Sequence, residues 1–122
     1  MDMRIVSAAA WAGVLSGLPS TVLDRRPIET SRAAGTLLGA PTLPRAALAH
    51  AGLSLGWAAV LAKVLPERPT AWHGAAAGLA IAALDLGIVG RRFPAIRALP
   101  PLPQVADHVA YGVVVAWALR RP

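Results

Sequence analysis

Four apolar runs, each nearly free of charge, constrain this chain more than anything else in it. A helix crosses roughly 30 Å of hydrocarbon with about 20 mostly apolar residues, at about 1.5 Å per residue. Residues 5–23 carry no charge, and the runs 46–65, 71–90 and 105–119 follow, with most arginines pushed between them. The last run has only 15 residues. It covers about 22 Å, so Arg120 and Arg121 are expected to snorkel outward from its end, or the bilayer there to be thin.

Composition removes the alternatives. A soluble domain carries about a quarter charged residues, whereas 15% of these 122 residues are charged and 56% are hydrophobic. That apolar content excludes disorder, and the absence of cysteine excludes a disulfide framework or a thiolate metal site. The expected fold is all-α: one polytopic transmembrane domain over residues 1–122, a four-helix bundle built as two tandem helical hairpins with short interfacial helices. A signal peptide competes for the first run, but only Arg4 precedes it and Asp2 offsets that charge, so a retained span is expected.

Four spans place both termini and the turn 66–70 on one face and the other two loops on the opposite face. Arg25, Arg26, Arg32, Arg45, Arg91, Arg92 and Arg97 lie on the loop side; Arg4, Lys63, Arg68, Arg120 and Arg121 lie on the terminal side. Positive charge favours the cytoplasmic side, so loops 24–45 and 91–104 are predicted cytoplasmic. Trp11, Trp72 and Trp117 fall towards the terminal face as interfacial anchors.

The two halves run in parallel. Arg25-Arg26-Pro27-Ile28 is followed by Arg32-Ala33, and Arg91-Arg92-Phe93-Pro94-Ala95-Ile96 by Arg97-Ala98. Leu43-Pro44 precedes His50, and Leu102-Pro103 precedes His108. A tandem duplication with units 5–65 and 71–121 accounts for this, making the histidines pseudo-equivalent about an axis along the membrane normal. The amphipathic pieces 27–38 and 93–99 are expected to lie in the interface, with Arg25, Arg26, Arg91 and Arg92 on anionic lipid headgroups.

Membrane helices associate through close packing of small residues. Gly13 with Gly17, Gly52 with Gly56, and Gly74 with Gly78 each supply the four-residue spacing, and Gly112 with Ala116 is a weaker fourth case. Pro19 removes one backbone donor and is expected to bend the first helix.

Ionisable groups inside spans are costly unless paired, which makes them the first place to look for function. His50, Asp85 and His108 lie within five residues of the loop-side ends of their spans, in one layer roughly 5 to 8 Å deep. Asp107 and Ser20 share that side, with Ser54 and Tyr111 slightly deeper. Asp85 is seven residues from Gly78, within about 20° of it on an ideal helix. It therefore faces the packing seam, where His50, His108, Arg91 and Arg92 are candidate partners.

Three uses of this layer are open from the residues: structural hydrogen bonds that hold helix register, a proton or ion pathway, and haem or a divalent metal at His50 and His108. No nucleophile and base occur at a recognisable spacing. A net charge of +6 could suggest nucleic acid, but the arginines stand beside apolar spans, so anionic lipid is the expected partner.

The segments Gly17-Leu18-Pro19-Ser20-Thr21, Arg25-Arg26-Pro27 and Arg32 to Gly39 resemble small four-span inner-membrane proteins of high-GC bacteria with no assigned function. The closing Asp107-His108-Val109-Ala110-Tyr111-Gly112 is similar to the last span of broader uncharacterised bacterial inner-membrane families. The resemblance implies a multi-pass bacterial inner-membrane setting and supplies no activity. The expected role is that of a small non-enzymatic membrane protein, accessory or self-associating, with another copy or a membrane subunit as partner. The alternative is a small transporter or proton conductor using His50, Asp85 and His108.

Overall fold

In the computed structural model, residues 2–23, 32–40 and 42–120 are described, and among them every regular element is helical. Helix α1 covers Met3–Leu15 and α2 covers Leu18–Leu23. A short 3₁₀ turn, Ala34–Leu38, leads into α3, Leu43–Val64. Helix α4, Ala71–Leu84, continues as a π-helical segment, Asp85–Val89, and the short helical turns Gly90–Arg92 and Pro94–Arg97 follow. Helix α5 is Pro101–Arg120.

Local sequence explains the ends. The Asp2 carboxylate accepts the Arg4 N–H at 2.8 Å, capping α1. Thr70 and His73 form a reciprocal box at the start of α4: the Thr70 N–H donates to His73 Nδ1 at 2.9 Å, and the Thr70 hydroxyl accepts the His73 N–H. The Arg4 guanidinium donates to the Leu119 carbonyl at the end of α5. The bend expected at Pro19 is present as a full break at Ser16 and Gly17, after which α2 starts anew. Of the expected interfacial pieces, 27–31 lies outside the described residues, as do Arg25 and Arg26; the rest forms the 3₁₀ turn and the turn Pro94–Arg97.

Two expectations about the spans need correction. Three helical stretches, not four, are long and apolar enough to cross a membrane: Met3–Leu23, Leu43–Val64 and Ala71–Arg92. Helix α5 is longer than the expected 15-residue run, with 20 residues, about 30 Å. Pro101 and Pro103 sit in its first turn, where a missing N–H costs nothing. What it lacks is apolarity, because its first half holds Gln104, Asp107 and His108.

Its position explains why it tolerates them. Helix α5 packs against α1, α2 and α4, while α1 also packs against α3. The least apolar helix is thus the central one, and Tyr111, Val115, Ala118 and Leu119 bury themselves with Ala8 and Ala12 of α1, Leu61 of α3 and Ile81 of α4. The outward faces stay apolar, with Val14, Leu48, Val60, Leu79 and Ile88 exposed.

The closest helix crossing is α4 on α5. A Cβ on Gly78 would collide with the His108 carbonyl, and one on Gly112 with the Gly74 carbonyl, so backbone lies directly on backbone. Gly13 makes a second close approach, its would-be Cβ 3.1 Å from Ser54 Oγ of α3. Gly17, Gly52 and Gly56 do not take the packing role expected of them within the chain: a Cβ on any of these would meet nothing within 4 Å. The Gly52 and Gly56 edge of α3 turns outward because Ala46, Ala49, Ser54, Ala58 and Leu61 form its buried face.

Candidate functional site: a polar cavity on the central helix

The glycine crossing sets the site. With α4 and α5 in backbone contact at Gly78 and His108, Asp85, two turns further along the same face of α4, comes to His108, and Asp85 Oδ2 lies 2.6 Å from His108 Nε2. Asp85 also opens the π-helical segment, in which the Gly90 N–H reaches the Asp85 carbonyl five residues back. Such wide turns inside α-helices are frequent at functional sites. Of the four candidate partners for Asp85, His108 is the one it pairs with.

The histidine geometry restricts its protons. His108 Nδ1 lies 2.5 Å from the Gln104 carbonyl, one turn earlier on α5. A carbonyl only accepts, so Nδ1 carries a hydrogen. The 2.6 Å contact on the other side then holds one further proton between imidazole and carboxylate. Whether written as imidazolium with carboxylate or as imidazole with carboxylic acid, the pair is neutral overall.

Asp107, the residue before His108 on α5, serves the break in the first span. Restarting the helix at Leu18 leaves its first N–H groups without intrahelical acceptors, and Asp107 Oδ1 accepts the Ser20 N–H at 2.8 Å. Pro19 and Asp107, far apart in sequence, are two parts of one device.

On the other wall, His50 Nε2–H donates to the Gly13 carbonyl at 2.7 Å. One turn deeper, the Ser54 hydroxyl donates to the Ala9 carbonyl at 2.7 Å, and the Tyr111 hydroxyl donates to the Ser54 carbonyl. Each histidine reaches back to the first helix of its own hairpin, His50 to backbone and His108 to a carboxylate.

These groups enclose a partly open cavity of about 160 Å³. The six polar residues expected from sequence to share a layer, His50, Ser54, Asp85, Asp107, His108 and Tyr111, all line it. Sequence reasoning missed Leu53, Trp57, Ile81, Ser16 and Gln104 on its walls. Gln104 was discoverable, since it lies one helical turn before His108 once the prolines are read as a first turn. Trp57 stands one turn beyond Leu53 on the same face of α3, a periodicity that carries no sign of a cavity.

Other candidates lie elsewhere. Arg91 and Arg92 are exposed at the end of the α4 extension. Trp72 is exposed, and Trp11 packs edge-on against Trp117 with centroids 6.0 Å apart. For haem or a divalent ion at His50 and His108, the fit is poor: both His108 nitrogens and His50 Nε2 are hydrogen-bonded within the chain. Among the described residues no three His, Asp or Glu side chains converge as a metal-holding group.

No family model matches the chain, and neither a curated protein nor a solved structure matches it.

Proposed function

We propose that this chain is a four-span integral membrane protein, set in a bacterial inner membrane with loops 24–45 and 91–104 cytoplasmic, that moves a small solute or protons through the polar cavity. The observation that carries this reading is the Asp85–His108 pair, which holds one proton on the wall of a partly open cavity. Three stretches have span length and apolarity, and the fourth, α5, is covered by its neighbours where it is polar.

A proton-exchanging pair needs acid and base groups facing a space a proton or solute can enter. Asp85 and His108 supply both, with His50, Asp107 and Tyr111 on the same walls. The test is proton flux into liposomes holding the purified protein, with a pH-sensitive dye inside. Asp85→Asn keeps the side-chain shape and removes the acid. Flux lost in this variant, with the fold intact by circular dichroism, supports the reading. Unchanged flux, or no flux above empty liposomes from the unaltered protein, contradicts it.

A second reading is favoured by different observations. Every buried side-chain nitrogen and oxygen among the described residues has a hydrogen-bond partner, and the Gly52–Gly56 face of α3 points outward unused. A structural polar layer in a self-associating or accessory protein fits both. It predicts that Asp85→Asn lowers stability and that the unaltered protein conducts nothing.

A further inference from the structure

We propose that the cavity takes a small organic cation, an ammonium group on an apolar body, with Asp107 as its counter-charge and Trp57 beside the body. This rests on the reading of the cavity as a place a solute enters, and it names the class of solute.

The charges around the walls single out one residue. Asp85 and His108 hold one proton between them and are neutral together. His50 spends its Nε2–H on the Gly13 carbonyl. Asp107 remains: its Oδ1 accepts the Ser20 backbone N–H, a neutral donor, the imidazoles of His50 and His108 are the basic groups near enough to act on its charge, and among the described residues no lysine or arginine is paired with it. A carboxylate at this depth calls for a positive partner. An anionic solute would meet the Asp107 carboxylate with only the imidazoles of His50 and His108 among the described residues to offset it, and a neutral one would bring it no counter-charge.

The remaining wall sets the shape of the solute. Leu53, Trp57 and Ile81 present two aliphatic side chains and an indole to the same space. An indole attracts a cation through its ring face and covers an apolar body equally well. The volume of about 160 Å³ is close to that of an engineered apolar cavity, about 150 Å³, that accepts benzene. A monoamine with a body the size of one ring therefore matches this volume better than a polyamine or a multi-ring cation does.

Calorimetric titration of the purified protein in detergent with three isosteric probes tests this: benzylammonium, benzyl alcohol and benzoate, each corrected for partition into empty micelles. Benzylammonium is expected to saturate one site per chain with affinity at least about tenfold above benzyl alcohol, since loss of a partly buried charge contact costs that much or more; benzoate is expected not to bind. Asp107→Asn retains an oxygen for the Ser20 N–H but loses the charge, and should bring benzylammonium down to the level of the alcohol. Trp57→Leu should weaken both probes while leaving the preference for the cation. Equal affinities for benzylammonium and benzyl alcohol, no saturable binding by folded protein, or an unchanged Asp107→Asn variant would overturn the proposal. Proton flux through liposomes separates the two claims. Flux without benzylammonium binding overturns the cation site alone; binding without flux overturns the carrier reading and leaves the cation site standing.

Discussion

Replacing Gly112 by alanine puts a methyl group into the crossing of α4 and α5, where the opposing atoms are backbone and cannot rotate away. The new Cβ would stand 2.9 Å from the Gly78 nitrogen and would overlap the Gly74 carbonyl oxygen outright. Ordinary contact begins near 3.4 Å, so the Gly78 contact alone asks the helices to part by about 0.5 Å and the overlap with the Gly74 carbonyl asks for more, enough to forfeit a quarter or more of each dispersion contact along the seam. Overpacking of this kind costs about 1–3 kcal/mol. Gly56→Ala is the matched control, because it has the same chemistry, a mid-helix position and nothing within 4 Å. It should be neutral or more stable by up to about 1 kcal/mol, from helix propensity alone. The assay is unfolding in mild detergent with increasing dodecyl sulfate, followed by far-ultraviolet circular dichroism at high dilution. Equal effects of the two substitutions would refute the packing argument, since motif spacing alone would then decide stability.

Other substitutions probe single contacts by the same unfolding assay. Tyr111→Phe removes the hydroxyl that donates to the Ser54 carbonyl and should cost about 0.6 kcal/mol and no more than about 1.7, the mean and the upper end for hydrogen bonds between membrane helices. Asp107→Ala leaves the Ser20 N–H at the helix break without its acceptor and should cost about 1 kcal/mol, whereas Asp107→Asn should cost less. Thr70→Ala dismantles the box with His73 and should cost about 1 kcal/mol, with hydrogen exchange quickening first in the opening turn of α4.

Much of the architecture was legible because membrane helices are written in long apolar runs, and depth along a run follows from counting at a fixed rise. That is why His50, Ser54, Asp85, Asp107, His108 and Tyr111 could be placed in one layer, and all six line one cavity. Rotation was harder to read. Gly78 and Asp85 were correctly put on one face, because seven residues nearly close two turns. The glycines of α3 meet no other helix of the chain: a small-residue stripe marks where a helix can be approached and does not say what approaches it. The length of α5 was misread because prolines that end a helix elsewhere are harmless in a first turn. Its central place was hidden in its lower apolarity, which tertiary cover permits and which sequence alone scores as weakness. The pairing of the Pro19 break with Asp107 could not be seen at all, since it joins two ends of the chain through a single backbone N–H.

One proton held between Asp85 and His108 underlies the proposed function, and nitrogen-15 magnetic resonance of the His108 ring in lipid bilayers reads it directly. The geometry predicts a protonated Nδ1, held by the Gln104 carbonyl, and an Nε2 resonance displaced by a strong hydrogen bond that returns towards the free-imidazole position in Asp85→Asn. An unprotonated Nδ1, or an Nε2 resonance indifferent to the loss of the Asp85 acid, would contradict the arrangement on which the proposed function stands.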